Sequence, residues 1–152
     1  MKRIKQLQSL SMEHHLSLVL ANKAIKTAKS EDKEKIKKLC QEISNEFDNR
    51  WEAHFIKEEF SIFSVFEEKY YPRLITNSPD DATLTEKLRE QHNQMRTMSA
   101  AMRNESNGDQ LAEFGILLRD HTRLEERRLF PLVSALFTKE ELKLVEISTA
   151  HH

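Results

Sequence analysis

The chain has little of what punctuates a β-rich fold, with 2 glycines and 3 prolines in 152 residues. Sheets of short strands need turn residues at regular intervals, so an all-β architecture is excluded in favour of long helices with few connections. One cysteine, Cys40, allows neither an internal disulfide nor a Cys-x-x-Cys redox pair. Its helical register with Ile36 and Ile43 reads as a small buried side chain. No apolar run approaches the ~18 residues of a membrane span, and the opening MKRIKQLQSL lacks the apolar core of a secretory signal. A cytoplasmic location with no membrane partner is the expectation. A block of one charge is lacking too: 24 Lys and Arg are interspersed with 25 Asp and Glu, for a net charge of −1. Nothing in that pattern invites nucleic acid or anionic lipid. A Gly-rich phosphate loop, a nucleophilic triad and an HExxH motif are also missing, which leaves hydrolase and nucleotide-dependent activities without support.

What the sequence does have is apolar periodicity of three and four residues, enough for one all-α domain spanning 1–152. The expected helices cover about 4–29, 31–70, 83–104 and 109–136, with a short C-terminal helix over 139–149. Leu7, Leu10, His14, Leu18, Ala21 and Ile25 share one face of the first. Ser30 is the expected N-cap of the second, whose stripe runs Ile36, Leu39, Ile43, Phe47, Trp51, His54, Glu58, Ile62 and Val65. That helix should end before Pro72. Thr83 and Glu86 have capping-box spacing for the third, with Leu84, Leu88, His92, Met95 and Met102. The fourth carries Leu111, Phe114, Leu118, His121, Glu125, Leu129 and Leu132, and Pro131 should kink or end it. Thr138 and Glu141 suggest a capping box for the last helix, a lid or docking tail. Short connections between long helices give an antiparallel up-down-up-down four-helix bundle. His151 and His152, native or the remnant of a tag, enter no argument.

An apolar stripe should exclude ionisable groups, yet each long helix places a histidine in its own: His14, His54, His92 and His121. Two carboxylates follow one turn later, Glu58 after His54 and Glu125 after His121, on the same faces as those histidines. A buried carboxylate needs a partner, and a divalent metal is the partner that imidazole and carboxylate share. Six ligands exceed a closed tetrahedral zinc site. Two metals bridged by both carboxylates would receive two imidazoles and two oxygens each, leaving open positions. The segment His54-Phe-Ile-Lys-Glu-Glu-Phe-Ser-Ile-Phe also aligns without gaps to His121-Thr-Arg-Leu-Glu-Glu-Arg-Arg-Leu-Phe, so the chain reads as two halves.

His15 has a more polar set of helical neighbours than His14, which makes His14 the expected ligand. Glu59 and Glu126 point about 100° from Glu58 and Glu125 and read as solvated or ion-pairing residues that could act from behind the ligands. Phe60, Phe63, Phe66, Met95 and Met98 read as ordinary core.

The order His, His-x-x-x-Glu, His, His-x-x-x-Glu along four helices resembles the hemerythrin-like (HHE cation-binding) family, with HFIKEE and HTRLEERRLFP carrying most of the specificity. The resemblance implies two iron ions, oxo- or hydroxo-bridged, one held by His14 and His54, the other by His92 and His121, with Glu58 and Glu125 bridging; zinc or manganese are alternatives. Ferritin-like bundles use Glu-x-x-His, which neither motif has. Oxygen-carrying hemerythrins have a further histidine one turn along the third helix, where this chain has Arg96, and the extra open position favours binding or turning over a small ligand. The expected function is therefore a non-haem di-iron protein binding O2, NO, peroxide or a related small ligand, in sensing or in redox and iron handling. The alternatives are a redox enzyme at the same centre (ferroxidase, peroxidase or NO reductase) and a metal-stabilised helical interaction module.

Overall fold

Seven-residue spacing governs the first helix, α1 (Lys5–Lys29): Leu7, His14 and Ala21 alternate with Leu10, Ser17 and Ala24, and all six are buried. Leu18 and Ile25, expected in this stripe, are only half-buried. The small Ser17 and Ala24 take their place because a neighbouring helix approaches closely there. A computed structural model describes residues 3–150 of the chain; His151 and His152 lie outside them.

Helix α1 stops where Glu31 adopts φ 56°, the left-handed region that terminates helices. The cap of α2 (Lys33–Glu46) is then Asp32, whose carboxylate accepts the Glu34 and Lys35 amides at 3.1 and 3.2 Å. Ser30 does not cap α2 as expected: it is the C-cap of α1, and its hydroxyl donates to Thr27 O. From α2 the chain stays helical through a π turn (Phe47–Trp51), α3 (Glu52–Glu58), two further π turns (Glu59–Phe63 and Phe66–Tyr70) and α4 (Tyr71–Asn77). The expected stop before Pro72 is overturned. The π turn just ahead closes with the Tyr71 amide on Phe66 O, so the missing Pro72 N–H falls where the regular ladder is already interrupted.

A short turn of helix, α5 (Pro79–Ala82), leads into α6 (Leu84–Met102). Here the expected capping box does not form. Thr83 sits at φ −95°, ψ 1° and donates its hydroxyl backwards to Pro79 O and Asp80 O. Asn107 caps α7 (Gly108–Leu124) by accepting the Gln110 amide at 2.7 Å. A fourth π turn (Glu125–Leu129) precedes α8 (Phe130–Leu136), and Pro131 again follows the turn by two residues without ending the helix.

The register slip of the π turns explains which apolar residues reach the core. Beyond Glu59–Phe63 the stripe moves from the expected Val65 to Phe66 and Tyr70, and beyond Glu125–Leu129 from Leu132 to Phe130 and Val133. Phe60 is 61% exposed rather than core, while Cys40 is fully buried.

Two apolar clusters result. One gathers Ala21, Ala24, Ile36, Ile43, Phe47, Met102 and Leu111; the other gathers Leu7, Leu10, Phe66, Tyr70, Leu84, Leu88 and Val133. Each long helical segment starts in one cluster and finishes in the other, and the sense alternates from segment to segment. Helix α1 packs chiefly on α7, and α6 packs on both α2 and α7. Gly115 on α7 makes the closest approach, since a Cβ there would lie 2.9 Å from Ala21 O and 3.1 Å from Ala24 Cβ.

The last helix, α9 (Lys139–Ala150), docks on α1 and on the Glu59–Phe63 turn, with Val145 in the second cluster. Its capping box does form: Glu141 accepts the Thr138 amide at 2.9 Å and returns its own amide to the Thr138 hydroxyl at 3.2 Å. The same carboxylate, 6% exposed, accepts the Tyr70 hydroxyl and lies 2.8 Å from Lys69 Nζ. Burial pushes Glu141 up, but Lys69, Tyr70 and the Thr138 amide overcome it and hold the carboxyl at about 2. A carboxylate depressed on folding stabilises above its unfolded value near 4.5, and that contribution disappears as pH falls toward 2. Glu141→Gln should therefore cost about 2 kcal/mol at pH 7. Urea denaturation at pH 7 and pH 2.5 should show the gap between variant and wild type closing in acid; a gap independent of pH would contradict the assignment.

Candidate metal centre

Between the two apolar clusters lies a polar layer to which every long helical segment contributes one histidine. His14 follows Leu10 on α1, His54 stands on α3 between Trp51 and Ile62, His92 lies on α6 between Leu88 and Met95, and His121 follows Leu118 on α7. Glu58 closes α3 and Glu125 opens the fourth π turn, so both motif carboxylates stand at the junction of α-helix and π turn. All six side chains are buried, with Glu58 and Glu125 at 0% exposure.

The six form two overlapping groups. His14 and His54 make one with Glu58 and Glu125; His92 and His121 make the other with the same two glutamates. Within each group, one ligand-type atom per residue lies within 4.8 Å of all the others. His14 Nε2 is 3.2 Å from Glu58 Oε2 and 2.9 Å from Glu125 Oε1. His54 Nε2 is 3.3 Å from Glu58 Oε2, His92 Nε2 is 3.2 Å from Glu58 Oε1, and His121 Nε2 is 3.3 Å from Glu125 Oε1. His15 is exposed and joins neither group.

The reverse side of each ring explains its orientation. His14 Nδ1 lies 3.2 Å from Glu126 Oε2, His92 Nδ1 lies 2.7 Å from Glu59 Oε2, His121 Nδ1 lies 2.8 Å from Gln91 Oε1, and His54 Nδ1 bonds Glu13. Carboxylate and amide oxygens only accept, so each Nδ1 is the donor and each Nε2 is turned inward. Glu59 and Glu126, read from the sequence as solvated or ion-pairing residues, are half-buried and hold His92 and His14. Glu13 and Gln91 escaped the sequence reading, although each stands immediately before a stripe histidine. Phenyl rings complete the alignment: Phe130 stacks on His14 (5.1 Å, 19°) and Phe63 on His92 (5.3 Å, 20°). Every residue matched between HFIKEEFSIF and HTRLEERRLF thus has the same task in both halves.

Arg96 gives its guanidinium to Glu52, with contacts of 2.7 to 3.0 Å, and to Glu59 at 3.0 Å. It acts on His92 indirectly, by fixing the glutamate that fixes the ring.

The layer's charge is as specific as its geometry. Burial lowers the His14 imidazole, but Glu125, Glu126 and Glu58 outweigh it and hold the group well above its ordinary range. His54 likewise rises, to about 9, because Glu58 and Glu13 overcome burial, and His92 rises through Glu58 and Glu59. His121 is lowered, burial prevailing over Glu125. Glu58 is pushed up by burial yet held well below the usual carboxylate range by His54, His14 and His92. Glu58 thus draws its stabilisation from the imidazoles that face it. Even so, Glu58 Oε1 and both Glu125 oxygens have no hydrogen bond; the short His14–Glu125 and His92–Glu58 approaches lack hydrogen-bond geometry. A cation satisfies such atoms without a directional donor. Imidazole and carboxylate together suit iron, zinc or manganese, and metal–ligand bonds of about 2.0–2.2 Å need donors only about 4 Å apart. The residues fit a metal site.

A groove reaches this layer at His54. About 240 Å³ between α1 and the second helical segment is lined by Glu13, Leu16, Trp51, Ala53, His54 and Lys57 among others. A larger concavity of about 760 Å³, at the end where α1 meets α2 and α6 meets α7, touches none of the six.

The chain matches the hemerythrin HHE cation binding domain over residues 6–133. It belongs to that family. The matched span takes in all six layer residues and their four Nδ1 partners, and leaves α9 outside. No curated protein and no solved structure gave a significant match. Among the described residues no helix is long and apolar enough to cross a membrane.

Proposed function

We propose that this HHE-family chain is a single-domain, cytoplasmic non-haem di-iron protein that binds O2, NO or peroxide in sensing or in redox and iron handling. His14 and His54 would hold one iron and His92 and His121 the other, with Glu58 and Glu125 available to both. The four long helical segments serve as an antiparallel up-down-up-down frame, a reading supported by their alternating course between the two apolar clusters. The observation that carries the proposal is the outward anchoring of all four Nδ1 atoms, which commits four Nε2 atoms and two buried carboxylates to one shared space.

The bound metal would supply redox change and open coordination positions for a small ligand. The protein's own contribution is positional. Glu13, Glu59, Gln91 and Glu126 lock the ring orientations, Phe63 and Phe130 keep two of the imidazoles from rocking, and the apolar clusters close the layer above and below. The absence of a protein ligand from Arg96 favours small-ligand binding over saturation of the centre by side chains.

The test is metal content per chain by inductively coupled plasma mass spectrometry after anaerobic Fe(II) reconstitution, followed by visible spectra under O2 and NO. Near two irons with gas-dependent absorption is expected. Failure to retain iron would sink the di-iron centre, and retained iron with spectra indifferent to both gases would sink the small-ligand function.

A further inference from the structure

Around the polar layer the two halves repeat their histidines and the glutamate and phenyl partners of His14 and His92, but the Nδ1 partners of His54 and His121 differ in chemistry. Glu126 behind His14 corresponds to Glu59 behind His92, and Phe130 on His14 corresponds to Phe63 on His92. Behind His54, however, stands the carboxylate of Glu13, and at the corresponding place behind His121 stands the neutral amide of Gln91. Both residues directly precede the stripe histidine of their own helix, so the correspondence is positional and only the chemistry differs.

We infer that the two cation positions are inequivalent and fill in order, the His14–His54 position first, with Glu13 and Gln91 as the positioning residues that set the order. The inference rests on the proposed metal-binding reading. Glu58 and Glu125 belong to both groups and cannot discriminate between them. Each group has two imidazoles, so ligand type does not discriminate either. What remains is the partner of each Nδ1–H. A carboxylate draws that proton and makes Nε2 a stronger donor to a cation; an amide oxygen does so less, and such outer partners alter metal affinity by about 10- to 100-fold.

The experiment is an anaerobic titration of the metal-free full chain with Co2+, read by visible absorption and by competition with a chelator of known affinity. The wild type should show two steps separated by about tenfold or more. Glu13→Gln should weaken the tight step by about tenfold, and Gln91→Glu should tighten the weak step by a similar factor, bringing the constants together in both variants. Both exchanges are nearly isosteric, and circular dichroism will show whether the helices survive. Two wild-type steps no further apart than identical sites require by statistics would overturn the ordering. So would exchanges that leave both constants unchanged, or a Gln91→Glu effect confined to the tight step. A wild-type chain that takes up no Co2+ would instead sink the metal-binding reading itself, which keeps the two failures apart.

Discussion

Glu58→Ala is expected to strip both cation positions at once, whereas His54→Ala should affect mainly one. Glu58 faces His14 and His54 through one oxygen and His92 through the other, and it belongs to both four-residue groups. Its loss also leaves Glu125 as the only buried carboxylate among four imidazoles. Two ions bound with a thousandfold excess over their dissociation constants contribute on the order of 8 kcal/mol, which for a chain of this length is a Tm difference of about 20 °C. Calorimetry of the iron-loaded wild type against the variant, with metal analysis of each, measures the effect. Full metal content in Glu58→Ala would show that the carboxylate is not shared, and the two-group description of the layer would fail.

Phe55→Ala should produce the second large effect, about 3–5 kcal/mol of destabilisation. Phe55 is buried, stacks on His92 with centroids 4.0 Å apart and rings inclined by 12°, and meets Phe47 and His121 edge-on at 5.8 and 5.9 Å. Arg96 lies over it at 5.8 Å. The corresponding residue of the other half is Thr122, and Phe55 reaches His54 only edge-on at 6.1 Å, so the consequence is uneven. Beyond the cavity, the His92 ring loses a wall, and metal affinity should fall more at the His92–His121 position than at the His14–His54 position. Urea denaturation gives the first quantity and Co2+ competition the second. A loss below 1 kcal/mol, or an equal weakening of both positions, would contradict this account.

The helical architecture and the convergence of the six side chains were legible because both depend on period. A residue that breaks an apolar stripe at helical spacing must enter the interior wherever that face goes, and the burial of His14, His54, His92, His121, Glu58 and Glu125 follows from their register alone. Glu13 and Gln91 were not legible in the same way. Each lies about 100° from its neighbouring histidine on its own helix, and its task concerns a histidine of a different helix, which only the docking of helices reveals. The π turns were hidden for another reason. An i→i+5 turn has no marked residue preference, yet each inserts a step into the stripe, which is why Phe66 and Val133 rather than Val65 and Leu132 reach the core. The same turns let Pro72 and Pro131 pass inside helices. Ser30 and Asp32 show the limit of cap reading: both are good capping residues, and the left-handed turn at Glu31 decided between them.

The crossing of the outer hydrogen bonds has a kinetic consequence. Glu126 holds His14 across 112 residues of chain and Glu59 holds His92 across 33, so neither half orients its own first histidine. Helical turns form within about a microsecond, whereas contacts so distant in sequence wait for loop closure and helix docking. Ring alignment is then among the last events of folding. A cation arriving earlier meets histidines still free to bind it in the wrong company, so refolding with metal present should be slower than refolding first and loading afterwards.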